Sequence, residues 1–215
     1  MPAPEQPSRD CPLCPRLAAY RAENRAAHAD WHNAPVPPFG AVEAEILIVG
    51  MAPGLSGANR TGRPFTGDHA GKLLYRTLLR LGLAHGTYGE SADDGLSLEN
   101  CRITNAVRCA PPANLPTPEE AKTCNRFLLA ELQAMTNLRA VLALGVLAHA
   151  AVLRASGMPL ARARFRHGAI HELPDGLLIA DSYHVSRYNT STGRLTEEMF
   201  ASVVFALRRR LEQAA

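Results

Sequence analysis

Residues 50–74, GMAPGLSGANRTGRPFTGDHAGKLL, hold six glycines, two prolines, two arginines, one phenylalanine and one aspartate. They follow a short apolar run, residues 45–49, and precede a helical pattern. A loop this rich in glycine lets backbone N–H groups approach a ligand closely. The strand–loop–helix order puts those groups at a strand's carboxyl end, where open α/β sheets bind ligands. The chemistry suggested is recognition of a phosphate or nucleotide. It is not a nucleotide-binding P-loop. That motif needs G-x-x-x-x-G-K-[ST], and here Leu73 follows Lys72. Nor does the stretch 50–57 fit G-x-G-x-x-G. Within the loop, Phe65 offers a flat ring for stacking on a ligand, or an anchor packed into the core. Asp68 could hold water or stabilise positive charge. It could equally cap the helix that begins beside it.

Cysteine supplies a second set. Cys11 and Cys14 form a CxxC, Cys109 and Cys124 lie further along, and Cys101 stands apart in an apolar run. A tight pair plus two distant thiolates can hold zinc or an iron–sulfur cluster, and the spacing alone leaves both open. A thioredoxin-like pair is not expected, because no strand precedes Cys11 to present it.

These residues need a scaffold. The chain has 215 residues, 47% hydrophobic and 20% charged, which fits one domain with a real core. Its net charge of +3 permits nucleic-acid binding without demanding it. Lysine occurs only at 72 and 122. The polar, proline-rich start has no apolar segment of a signal peptide, and the apolar stretch 140–153 is too short to span a bilayer, so a cytoplasmic protein is expected. Residues 1–10 read as a mobile N-terminus and 11–215 as a single domain.

Residues 15–32 read as a helix. Apolar runs at 45–49, 102–107, 140–144 and 177–180 read as buried parallel strands alternating with helices. Thr117-Pro118-Glu119-Glu120 has the form of a capping box. A last helix starts near Thr196, with Met199, Phe200, Val203, Val204, Leu207 and Leu211 on one face. The expected fold is a three-layer α/β/α sandwich around a mainly parallel, four-stranded sheet.

Residues 59–68, NRTGRPFTGD, resemble the first motif of the uracil-DNA glycosylase superfamily, in the iron–sulfur branch known as family 5. Residues 103–109, ITNAVRC, are similar to its second active-site segment. His184-Val185-Ser186-Arg187-Tyr188-Asn189 is similar to its HPSxxN motif, with Val185 in the place of the usual proline. Cys11, Cys14, Cys109 and Cys124 match the branch's cysteine arrangement, and Gly193-Arg194-Leu195-Thr196 matches the entry to its last helix. Ser56 stands where family 5 loops commonly carry histidine. Met51 and Ala52 occupy the early part of the motif, where family 1 enzymes place a water-activating aspartate and family 5 does not. The resemblance covers nearly the whole chain.

The resemblance implies a [4Fe–4S] cluster on the four matched cysteines, structural in role, and leaves Cys101 as a small buried residue. It implies that Phe65 stacks on a base flipped out of DNA, with Gly50 and Ala52 beside it. Asn105 would read the base edge through its amide, and His184 would donate to the departing base's oxygen. Asp68 would act on the water or the sugar cation. Arg60, Ser186, Arg187, Tyr188 and Asn189 are the implied DNA contacts. The expected activity is hydrolysis of the N-glycosidic bond of uracil, and of other deaminated bases such as hypoxanthine, in DNA. The enzyme would be monofunctional and monomeric, with no membrane partner. The alternative is a non-catalytic nucleic-acid-binding module stabilised by a metal or cluster, or an iron–sulfur redox protein.

Overall fold

A computed structural model describes residues 3–213. The first half of the chain forms α1 (Pro15–Ala27), β1 (Ile46–Gly50), α2 (Ala58–Thr61), α3 (His69–Arg80), β2 (Ala84–His85), β3 (Ser97–Leu98) and β4 (Cys101–Asn105). The second half forms α4 (Pro118–Ala134), β5 (Ala140–Leu144), α5 (Val146–Ala155), β6 (Ile170–Glu172), β7 (Leu178–Ser182), α6 (Arg187–Ser191) and α7 (Glu197–Gln213). Among the described residues no helix is long and apolar enough to cross a membrane.

The four expected strands lie parallel in the order β4-β1-β5-β7. A fifth, β6, adds to the β7 edge in antiparallel fashion. Ile170-His171-Glu172 is three residues long and only partly buried, so it carries no apolar run that sequence could show. β7 recruits it through pairs such as Ile170 with Ala180.

Side chains of a strand alternate between the faces of a sheet, and β1 displays this. Ile46 and Ile48 join Leu74, Leu78, Val203 and Leu207 in a core beneath α3 and α7. Leu47 and Val49 join Leu128, Val141 and Val152 beneath α4 and α5. The central strands are buried on both sides, which makes the three-layer sandwich. Leu74 and Leu78 are fully buried, and truncating either to alanine should cost about 2–5 kcal/mol.

Local signals set the element ends. Thr117 accepts from the Glu120 N–H, and Glu120 in turn accepts from the Thr117 N–H, closing the capping box at the start of α4. α1 stops at Ala27 rather than near residue 32. The amide of Asn33 turns back and donates to the His28 carbonyl at 2.6 Å and the Asn24 carbonyl at 3.3 Å, satisfying groups that a further turn would have used. Met1 and Pro2, part of the expected mobile N-terminus, lie outside the described residues. From Ala3 onward that stretch carries contacts. Glu5 pairs with Arg126, and Asp10 pairs with Arg25 at 2.5 Å.

Candidate active site

Three loops meet at the carboxyl ends of the parallel strands. β1 ends at Gly50, which is in register with Asn105, the last residue of β4. β7 ends at Ser182, two residues before His184. Together with the loop after β5, these loops enclose a cleft of about 610 Å³. Phe65, Asp68, Asn105 and His184, brought from three separate segments, all line it. Ala52, Ser186 and Arg187 line it as well. A groove of about 680 Å³ at the opposite end of the sheet contains none of these residues.

Gly50 lies beneath the cleft. A Cβ there would sit 2.4 Å from both Asn105 Oδ1 and Phe65 Cζ, so only glycine lets the amide and the ring close in together. The backbone of Phe65 is held at φ +53°, a left-handed conformation that costs a non-glycine residue about 1–3 kcal/mol. Its neighbours supply the restraint. Tyr75 Oη donates to the Pro64 carbonyl at 2.5 Å and Tyr88 Oη to the Phe65 carbonyl at 3.1 Å. Arg63 forms a buried, two-pronged pair with Asp94 at 2.8 and 2.7 Å, and its Nε donates to Thr66 Oγ1. Phe65 is thus both core anchor and cleft wall, at 6% exposure.

Asp68 also fills both roles that its sequence position allowed. Its Oδ1 accepts from the Gly71 N–H at 3.2 Å, capping α3. Its Oδ2 faces the glycine loop, where a Cβ at Gly57 would lie 2.5 Å away and one at Gly54 3.0 Å. Burial raises its pKa above 3.8, and the N–H bonds from Gly71 and Ala70 oppose that only in part.

The ring of His184 lies 6.1 Å, centroid to centroid, from that of Phe65. Burial pushes its pKa down to about 4, so at neutral pH it is an uncharged imidazole with one N–H to donate. Asn189 Nδ2 donates to the His184 carbonyl at 2.7 Å and so braces the loop from within. The residue after His184, Val185, is fully buried in the core. That burial fixes the loop where proline would otherwise stiffen it. Ser186 caps α6. Tyr188 is 69% exposed and Arg60 is exposed, its Nε bonded to the Ser56 carbonyl; neither lines the cleft.

A sequence model of the family described as the Uracil DNA glycosylase superfamily matches residues 37–208. The chain belongs to this superfamily. It is 48% identical to a type-5 uracil-DNA glycosylase of Thermus thermophilus over 93% of each chain. It is 43% identical to a type-5 enzyme of Pyrobaculum aerophilum over 91% of this chain and 86% of that one. A type-4 enzyme of the same organism is 34% identical over 69% of this chain and 62% of its own length, a weaker match than the type-5 protein.

This glycosylase-superfamily chain gathers its cysteines away from the cleft. Cys11, Cys14, Cys109 and Cys124 line one small pocket between α1, α4 and the segment after β4. All four are free thiols. Burial, with the neighbouring cysteines adding to it, pushes Cys14 up to about 11 and Cys109 up to about 12. Such groups are poor thiolates unless a cation holds them. Donors surround them. Arg21 Nη1 reaches Cys109 Sγ at 3.6 Å, and the Arg108 N–H reaches Cys124 Sγ at 3.4 Å. Arg108 also lines the pocket, and its buried Nε and Nη1 have no partner among the described residues. Cys101 is elsewhere, buried, with its Sγ on the Leu83 carbonyl.

Sequence reasoning missed several residues of the glycosylase cleft. His69 lines it beside Asp68 and bonds Thr190 Oγ1 at 2.8 Å, tying the first motif to α6. Gly145, Val146 and Leu147 form the wall after β5. Their signal was available: Gly145, at φ +96°, follows a buried strand and opens a helix, as the loop after β1 does. Tyr88 had no signal, since it acts from a distant loop.

Proposed function

We propose that this protein removes uracil from DNA by hydrolysing its N-glycosidic bond and leaves an abasic site. The observation that carries this reading is the convergence of Phe65, Asp68, Asn105 and His184 on one cleft at the strand ends. The reaction needs the base out of the stack, a pocket for it, and stabilisation of a cationic sugar beside an anionic leaving group. Phe65 stacks on the flipped base. The Asn105 amide, with a donor and an acceptor, pairs with the edge of uracil. The neutral imidazole of His184 donates to the base oxygen on which negative charge develops. Asp68 faces the sugar and its attacking water. Ser186 and Arg187, on the cleft rim, contact the DNA strand, and Tyr188 and Arg60 reach it from outside the cleft.

Other deaminated bases fit the same reading. A cleft of about 610 Å³ has room for hypoxanthine as well as uracil. The enzyme is read as monofunctional, because strand cleavage needs an amine nucleophile. Lys72 does not line the cleft and pairs with Glu90 at 2.9 Å. We read it further as a monomer acting in the cytoplasm.

The cysteine pocket is read as holding a [4Fe–4S] cluster on Cys11, Cys14, Cys109 and Cys124. The four thiols line one small pocket, and the resemblance of their arrangement to the iron–sulfur branch favours a cluster over zinc, which four thiolates could also hold. The unpartnered donors of Arg108 suit an anionic cluster. Its contribution when bound would be structural, tying the N-terminal segment to the loop before α4.

The test is a base-release assay on labelled duplexes holding one uracil, one hypoxanthine or only normal bases, followed by hot alkali. Cleavage after alkali alone, at the deaminated bases alone, is the expected result. Tight binding with no release from any duplex would instead identify a binding module.

A further inference from the structure

We propose that the segment 162–166 is a DNA-backbone rail, in which Arg162, Arg164 and Arg166 contact successive phosphates beside the active site. This rests on the glycosylase reading above for its partner, and its own observation is separate.

Residues 162–167, Arg-Ala-Arg-Phe-Arg-His, alternate in burial. The three arginines are exposed, while Ala163 is buried and Phe165 and His167 are partly buried. Arg162 closes a short 3-10 turn, and from Ala163 onward that period of two is the pattern of an extended chain with one face on the protein. Ala163 has extended backbone, φ −137° and ψ 103°. Alternate residues of an extended chain lie roughly 6.6 Å apart, so adjacent guanidinium groups can reach neighbouring phosphates of one strand. Among the described residues none of the three side chains is committed to an ion pair or a hydrogen bond. Arginine elsewhere in the chain is often paired, as at Arg63, Arg102 and Arg108.

The inward face is anchored with unusual thoroughness for a loop. The buried Asp181 accepts from the Arg166 N–H at 3.2 Å, and its carbonyl accepts from the Gly168 N–H at 2.8 Å. The buried ring of His149 spans the Asp181 carboxylate at 2.7 Å and the Ala163 carbonyl at 2.8 Å. His171 also reaches Asp181, at 3.1 Å. Two members of this His–Asp–His group hold the segment directly, Asp181 at the Arg166 N–H and His149 at the Ala163 carbonyl. Phe165 packs edge-on against His149. His167 stacks on Tyr183 at 4.7 Å and accepts from the Tyr183 N–H at 3.1 Å. Tyr183 directly precedes His184, so the rail is fastened one residue from the candidate catalytic imidazole. A rigid, uncompensated row of three positive charges at that place fits a polyanion passing the cleft mouth.

The test compares the wild-type protein with an Arg162→Gln/Arg164→Gln/Arg166→Gln variant. Affinity for uracil-containing and undamaged duplex is measured against salt concentration. Each phosphate contact contributes about 0.9 to the slope of log K against log salt, so the triple variant should lower the slope by up to about 2.7. Between 50 and 200 mM salt the wild type should then lose about 40-fold more affinity than the variant. KM should rise while the single-turnover rate at saturation stays unchanged. An Arg209→Gln/Arg210→Gln control, beside the groove at the opposite end of the sheet, should keep the wild-type slope. A slope change below about one in the triple variant, or an equal change in the control, would overturn the rail. If the wild type binds DNA but releases no base, the glycosylase reading fails, and the slopes on undamaged duplex still decide the rail.

Discussion

The amide oxygen of Asn105 and the ring of Phe65 converge on the same point, the space where a side chain of residue 50 would begin. A Cβ at that point would lie 2.4 Å from each. One backbone position therefore sets the distance between the group read as pairing with the base and the group read as stacking on it. Gly50→Ala should displace at least one of them. Overpacking of this kind costs about 1–3 kcal/mol. The expected outcome is a lowered melting temperature together with a slowed base release. Wild-type values for both would show that the loop can yield and that the close approach does not matter.

Asp68 both caps α3 and lines the cleft, and the two roles can be separated. An asparagine at this position would still cap, because its side-chain oxygen accepts the Gly71 N–H as well as that of aspartate does. Asp68→Asn should therefore keep stability within about 0.5 kcal/mol while slowing base release by about 10²-fold. Asp68→Ala should lose the cap too, about 1 kcal/mol. Because burial raises the Asp68 pKa, the acid side of the pH–rate profile should break above 3.8. Full activity in the asparagine variant would leave Asp68 a cap and nothing more.

His184 is the group whose role depends on its being neutral. With its pKa pushed by burial from 6.5 to about 4, the pH–rate profile should show no histidine break near neutrality. The folded state favours the neutral ring, so this stability contribution is present above 6.5 and lost as pH falls towards 4. His184→Ala should be less sensitive to pH in that window, as read by denaturant unfolding at two pH values. It should also slow base release by about 10²–10³-fold, the usual effect of deleting a donor at a developing anion. Asn105→Ala should slow release with the fold intact. If both variants kept full rates, these residues would have to be replaced as the reacting set.

The Phe65 carbonyl is held by Tyr88 Oη at 3.1 Å. Tyr88→Phe removes only that hydroxyl, and about 1 kcal/mol of stability is at stake. With φ at +53°, Phe65 should relax once the restraint is gone, and KM for uracil DNA should rise several-fold. An unchanged KM would mean that Tyr75 and the Arg63–Asp94 pair suffice to hold the ring.

Iron content should distinguish the cysteines. Cys109→Ala should lose bound iron and the brown absorption near 400 nm, with a large loss of stability. Cys101→Ala should keep both, since Cys101 makes one bond to the Leu83 carbonyl far from the others. Stoichiometric zinc and no iron in the wild type would replace the cluster with a single metal ion.

Much of this protein was legible in its residues. Strands β1, β4, β5 and β7 were visible because burial on both faces demands continuous apolar runs. The capping box of α4 was visible because its two bonds are local. The residues on the cleft were nominated by motif, and the fold brought Phe65, Asp68, Asn105 and His184 together at the carboxyl ends of parallel strands of one sheet. Other features depend on groups far apart in sequence, and only the tertiary structure decided them. β6 is too short and polar to announce itself and exists because β7 offers it an edge. Tyr88 becomes part of the cleft's support only when the loop between β2 and β3 folds back to Phe65. Asp181 was one more residue of a buried strand until the fold set His149, His171 and the Arg166 N–H around it. Sequence determines what local periodicity and capping can encode. Contacts between residues distant along the chain are fixed by packing, and the polar networks that brace this site are made of them.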